Sequence, residues 1–190
     1  MLNTSANIKE PGLNVLPPGV ERYIVNGGGL TGVQILPDDE IEIINNEGNQ
    51  ICEISVFNKE GKSEPAILNL KENNNASEIK KILTKKDESS LTALHQLKKR
   101  NLDISKSKSS IIFDKDTSWG EKVKIKSKDK CYCIFAAPGA EMLVHEQNPP
   151  TDLTIFVKRA KITKDKEHHV IPDPLFDPLS EINIDRATAI

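Results

Sequence analysis

The sequence predicts a mainly β (α+β) domain: a β-barrel or sandwich of short antiparallel strands, with one or two helices over about 77–102 covering one side. Three observations predict it. Apolar and polar residues alternate in short runs, most plainly in Glu40–Ile44, where Ile41 and Ile43 face inward and Glu40 and Glu42 outward. Clusters of Gly, Pro, Asn and Asp interrupt these runs about every ten residues. Only Ser77–Leu102 carries a helical period, and a chain of 190 residues fits one such domain with tails.

In order, residues 1–19 read as an extended arm punctuated by Pro11-Gly12 and Pro17-Pro18-Gly19. Glu21–Val25 is a first strand, closed by the break Asn26–Gly29. Leu30–Leu36, the turn Pro37-Asp38-Asp39 and the strand Glu40–Ile44 follow. Asn45-Asn46-Glu47-Gly48 reads as a hairpin turn, with Asn49–Phe57 as its return strand. That strand puts Cys52, Ile54 and Val56 on one face and the carboxylate of Glu53 among apolar neighbours on the other. Ala66–Leu70 reads as a short strand. Ile79, Ile82 and Leu83, then Leu91, Leu94 and Leu97, give helical stripes split at 87–90, with Asp87 or Ser89 as the second helix's N-cap.

Beyond the connector 105–110, strands are expected at Ile111–Phe113, Lys122–Lys126, Cys131–Ala137, Met142–Val144 and Leu153–Lys161. Cys131–Ala137 is the most apolar run of the chain and reads as a buried strand. The resulting division is an arm at 1–19, a single β-rich domain at 20–163, and an irregular Pro-rich tail at 164–190 that leads toward a further domain.

Charge and hydropathy exclude several classes. A net charge of −2 leaves no basic footprint for nucleic acid. No run approaches the ~18 apolar residues of a membrane span, and the first residues lack a basic and apolar leader, so a cytoplasmic protein is expected. Cys52, Cys131 and Cys133 are an odd set and read as free thiols.

Four constellations could carry chemistry. Cys131 and Cys133 share one strand face; with His145, and with Glu141 or Glu53, they could hold zinc, although buried cysteines also serve as small hydrophobes. Cys52 beside Glu53 lacks a nearby base. The glycine run at 27–29 precedes a strand rather than a helix, and so lacks the usual phosphate cradle. The segment 137–152, dense in Gly, Pro, His and acids, could form a polar pocket lined by Glu141, His145, Glu146 and Asp152.

Residues Pro37–Ile43 together with Gly48–Asn58 resemble the urea-carboxylase-associated family of uncharacterised domains. Gly48, Gln50, Phe57 and Asn58 match the pattern directly, and Glu53 stands where the family has aspartate. Segments 136–142, 146–153 and 172–179 resemble members fused in front of an aminomethyltransferase of the glycine-cleavage T-protein kind. The family's later His-Asp pair and clustered cysteines have no counterpart here, and the Lys-rich helical middle also departs from it.

The resemblance implies a non-catalytic accessory or binding module linked to one-carbon and amine metabolism. Gln50 and Glu53 lie in the matching stretch; with Glu141, His145, Glu146 and Asp152 of the polar loop they make up the candidate binding residues, and the expected ligand is a small amine or amino acid. The resemblance also implies a further domain after Ile190, and tetrahydrofolate only through a fused T-protein-like domain. Two alternatives stay open: a small metal-dependent enzyme using Cys131, Cys133 and His145, and a protein–protein interaction domain.

Overall fold

The computed structural model describes residues 16–74, 76–85, 87–139 and 149–161. Eight strands are present among them: β1 (Val20–Val25), β2 (Leu30–Ile35), β3 (Glu40–Asn45), β4 (Cys52–Asn58), β5 (Ser109–Phe113), β6 (Lys122–Lys126), β7 (Cys131–Ala136) and β8 (Leu153–Lys158). Helices α1 (Glu78–Thr84) and α2 (Glu88–Lys99) lie between β4 and β5, flanked by 3-10 turns at Pro65–Leu68 and Ile104–Lys106.

The strands form two antiparallel sheets, ordered β1-β8-β3-β6 and β2-β7-β4-β5. First pairs with last, second with seventh, third with sixth and fourth with fifth. This nesting is the double Greek key of a jelly roll. The sheets pack as a sandwich and do not close into a barrel, which settles the choice the sequence left open.

Inward-facing residues of both sheets build one apolar layer, including Val25, Ile41, Ile54, Cys133, Phe135 and Ile155. The second sheet is covered on its outer face as well. Leu30, Phe57, Ile134 and Ala136 pack there against Ile79, Leu83, Ala93 and Leu97 of the helices. Burial on both faces explains why β4 and β7 read as nearly continuous apolar runs. The first sheet instead turns an open face outward, with Lys122, Lys124 and Lys126 of β6 paired to Glu42, Glu40 and Asp38. Such exposed pairs add little stability, but lysines along an edge strand discourage pairing with other chains.

Two expectations are corrected. The segment at 46–51 is not a hairpin turn: β3 pairs with β6 and β8, while β4 joins the other sheet. It is a corner between sheets, held by Asn45, whose side chain accepts from the Gly48 amide (3.0 Å) and donates to Gln50 O (2.8 Å). Residues 66–70 are not a strand but follow from Pro65, which starts a 3-10 turn that ends at Asn69 in the left-handed region. The helix split is as expected, with Asp87 accepting from the Ser90 amide (2.7 Å). The arm over 1–15, the strand at Met142–Val144 and the tail at 164–190 lie outside the described residues. No described helix is long and apolar enough to cross a membrane.

The opposite end of the sandwich from this corner is locked by a buried ion network. Arg159 donates through Nε and Nη2 to Glu21 (2.9 and 2.5 Å) and through Nη1 to Asp39 (2.6 Å) and Gln34 O (3.0 Å). Asp39 also accepts from the amides of Leu36 and Ala160, and the Tyr23 hydroxyl donates to Glu21.

Candidate functional site

The loops β1–β2, β3–β4, β5–β6 and the described parts of β7–β8 gather at one end of the sandwich. Gly27 donates its amide to Asp152 Oδ1 (2.8 Å), and Gly28 donates to Ala137 O (2.7 Å). A Cβ at Gly27 would lie 2.2 Å from Pro150 O, so only glycine permits this approach. Asn46 donates to Asp152 O and to Thr154 Oγ1, both at 3.0 Å. The Asn49 amide donates to Thr117 O (2.8 Å), bringing in the loop that carries Trp119.

Gln50 sits at the centre. Its Nε2 donates to Ile51 O and Pro138 O, both at 2.9 Å, and its Oε1 accepts from the Thr151 amide (2.7 Å). One buried side-chain amide therefore clamps both described limbs of the β7–β8 connection. Beside it lies a cavity of about 270 Å³, bordered by Glu47, Asn49, Gln50, Lys115 and Thr151. Glu47 and Lys115 are exposed at its rim, and the Thr151 hydroxyl is buried there without a hydrogen-bond partner. The cavity thus presents a carboxylate, an ammonium and a spare hydroxyl. No nucleophile–base pair is formed by these groups.

Of the residues expected to bind, Gln50 and Asp152 are brought to this end. Glu141, His145 and Glu146 lie outside the described residues. Glu53 is placed elsewhere, on the helix-covered face of β4. It accepts from the amides of Glu78 (2.7 Å) and Ile79 (3.4 Å), the first turn of α1. Ser77, the N-cap of α1, makes no side-chain bond there, so Glu53 does that work from a strand. Glu47, Lys115 and Thr151 were not singled out from the sequence. Exposed charges in turns give no signal, and Thr151 becomes notable only through its burial.

Cys131 and Cys133 both face the sandwich interior, their sulfurs 3.7 Å apart, in the apolar core, with the Ser127 hydroxyl also 3.7 Å from the Cys131 sulfur. Among the described residues no group of three or more His, Cys, Asp or Glu is placed to hold a metal ion. Burial, and then the charge of Glu53, pushes the Cys52 thiol up; burial and the Cys131 contact push Cys133 up as well. The hydrogen bond from Cys133 draws Cys131 the other way. Cys52 and Cys133 thus sit as inert core thiols, and Cys131 is buried beside them out of reach of a substrate.

No family model matches the chain. A relative does. The chain is 33% identical over 183 residues to the trimethylamine-oxide aldolase of Ruegeria pomeroyi. The match takes in 96% of this chain but only 23% of that enzyme, so the chain spans about a quarter of its relative's length.

Proposed function

We propose that this chain is a non-catalytic β-sandwich module of a larger protein that acts on a methylated amine or amine oxide, with the chemistry carried by other parts of that protein. The observation that carries the reading is the similarity along nearly the whole chain to a quarter-length portion of trimethylamine-oxide aldolase. The geometry supports it. The space between the sheets is filled by side chains such as Val33, Ile43 and Phe135 rather than shaped as a pocket. Gln50 and Asp152, the two expected binding residues that lie at the loop end, are engaged in holding loops together.

In this reading the cavity beside Gln50 is a subsidiary binding place for a small amine or amino acid, with Glu47 facing the cation and Lys115 the carboxylate. Zinc and tetrahydrofolate, where the larger protein uses them, belong to its other parts. The described thiols do not fit a zinc site, having no third donor among the described residues.

The test is direct. Purified chain incubated with trimethylamine N-oxide, with and without added zinc and tetrahydrofolate, is followed by substrate loss. Elemental analysis is run on the same preparation and on a Cys133→Ser variant. The expected results are no turnover and no stoichiometric metal. Turnover by the chain alone, or one zinc per chain that disappears in Cys133→Ser, overturns the reading.

A further inference from the structure

Among the described residues, the helical layer leaves a groove unfilled. Between α1 and the turn after α2 lies an open cavity of about 670 Å³, with Leu83, Leu94, Leu97, Leu102 and Ile104 along it. Leu83 and Leu97 form its buried floor, while Leu94 and Ile104 remain partly exposed. Its charged rim is basic. Lys98 stands at the edge, and Lys80 reaches across to Ser105 O (3.2 Å). The one rim carboxylate among the described residues, Asp103, is already engaged by Ser105 and Lys106. Over residues 78–100 the sequence carries seven Lys or Arg against three Asp or Glu, although the whole chain is net negative.

Residues 170–185, outside the described structure, have the complementary composition. They carry Asp173, Asp177, Glu181 and Asp185 and no Lys or Arg. Interleaved with these acids are Val170, Ile171, Leu175, Phe176, Leu179, Ile182 and Ile184. A solvated tail gains nothing from so many large apolar side chains, whereas an apolar groove with a basic rim accepts such a pattern.

Reach permits the contact. β8 and the groove meet the same end of the sandwich: Arg159 bonds Asp39, the Asp39 O accepts from Ser127, Lys128 donates to Ile67 O, and Gly61 packs on Asn101. Crossing one intersheet layer and one helix layer is about 20 Å. The nine residues from Lys161 to Val170 can span up to ~30 Å.

We propose that the acidic, apolar segment 170–185 of the same chain occupies this groove, with Phe176 or a neighbouring apolar residue against Leu94 and Leu97 and the acids facing Lys80 and Lys98. This is an intramolecular docking site, independent of the function proposed above. Because the segment is tethered, a weak contact suffices to keep it occupied.

Photo-crosslinking of the full chain tests it. Benzoylphenylalanine is placed at position 176, and the cross-linked peptides are mapped by mass spectrometry on a mixture of unlabelled and ¹⁵N-labelled chains. Cross-links within one chain to residues 80–105 are expected. The yield should fall about threefold in Lys98→Glu, recover in Lys98→Glu with Asp177→Lys, and fall with added salt. Cross-links mainly between chains, cross-links to the open face of the first sheet, or none above background overturn the proposal. Unchanged circular dichroism of each variant separates lost docking from lost folding.

Discussion

The carboxylate of Glu53 lies 2.7 Å from the backbone nitrogen of Glu78, tying the fourth strand of the sandwich to the first turn of a helix 25 residues later. A buried acid on a strand thus serves as the helix's missing cap, satisfying amides that Ser77 leaves open. Glu53→Ala should destabilise the protein by about 1–3 kcal/mol, because it removes the acceptor and leaves buried donors unpaired. Glu53→Gln keeps an acceptor of similar shape and should cost less. Urea unfolding of the two variants beside the parent checks the order; equal stability of all three would show that the cap contributes nothing.

The loop end makes a second prediction. Gly48 has φ +80°, and a Cβ there would lie 2.8 Å from the Trp119 nitrogen. Gly120 also has a positive φ, +69°, but nothing within 4 Å of an added Cβ. Gly48→Ala should therefore cost more than the roughly 1–2 kcal/mol of left-handed strain expected for Gly120→Ala. Trp119 is the only tryptophan and is 80% exposed. Its emission should already be that of a solvated indole in the folded protein, so urea unfolding followed by circular dichroism is the measurement that ranks the two variants.

Arg159 carries the third. It is 9% exposed and bridges Glu21 to Asp39, itself 1% exposed. Arg159→Met strands a buried carboxylate and should cost about 3–5 kcal/mol. Arg159→Lys keeps the charge but cannot span both acids with a planar fork, and should fall between. Thermal melts rank them; a lysine variant as stable as the parent would reduce the network to simple charge balance.

The buried thiols give a pH dependence. Folding holds Cys52 above its ordinary value, through burial first and then the charge of Glu53, so its contribution is complete below the unfolded thiol pKa of ~8.5 and is lost as pH rises beyond it. Cys133, raised, and Cys131, lowered by their shared contact, act in opposite directions. Tyr23, raised by burial and by Glu21, extends the loss above ~10. Stability should decline on the alkaline side, less steeply in Cys52→Ala. At pH 8 a thiol-specific reagent should find none of the three cysteines in the native protein and all three in denaturant; one fast-reacting thiol would contradict their core placement.

Much of the fold was legible where one face of a strand meets water. Glu40–Ile44 alternates because Ile41 and Ile43 enter the sandwich while Glu40 and Glu42 meet lysines. The partner of each strand was not legible. Asn45–Gly48 has the chemistry of a tight turn, but turn chemistry does not say which sheet the next strand joins. Arg159 reads as one base in a strand end, since its partners Asp39 and Glu21 lie 120 and 138 residues away. Gln50 stood out through a family pattern. Its physical reason, a clamp on Pro138 and Thr151 about 90–100 residues on, is a property of the assembled loops.

The nested pairing of strands has a consequence for synthesis. β1 hydrogen-bonds only to β8 within its sheet, so Val20–Val25 leaves the ribosome long before Leu153–Lys158 exists. At ordinary elongation rates the delay is on the order of ten seconds. Throughout it, the nascent chain carries an unpartnered strand bearing Tyr23 and Val25, and closure of the first sheet must wait until Lys158 has been translated.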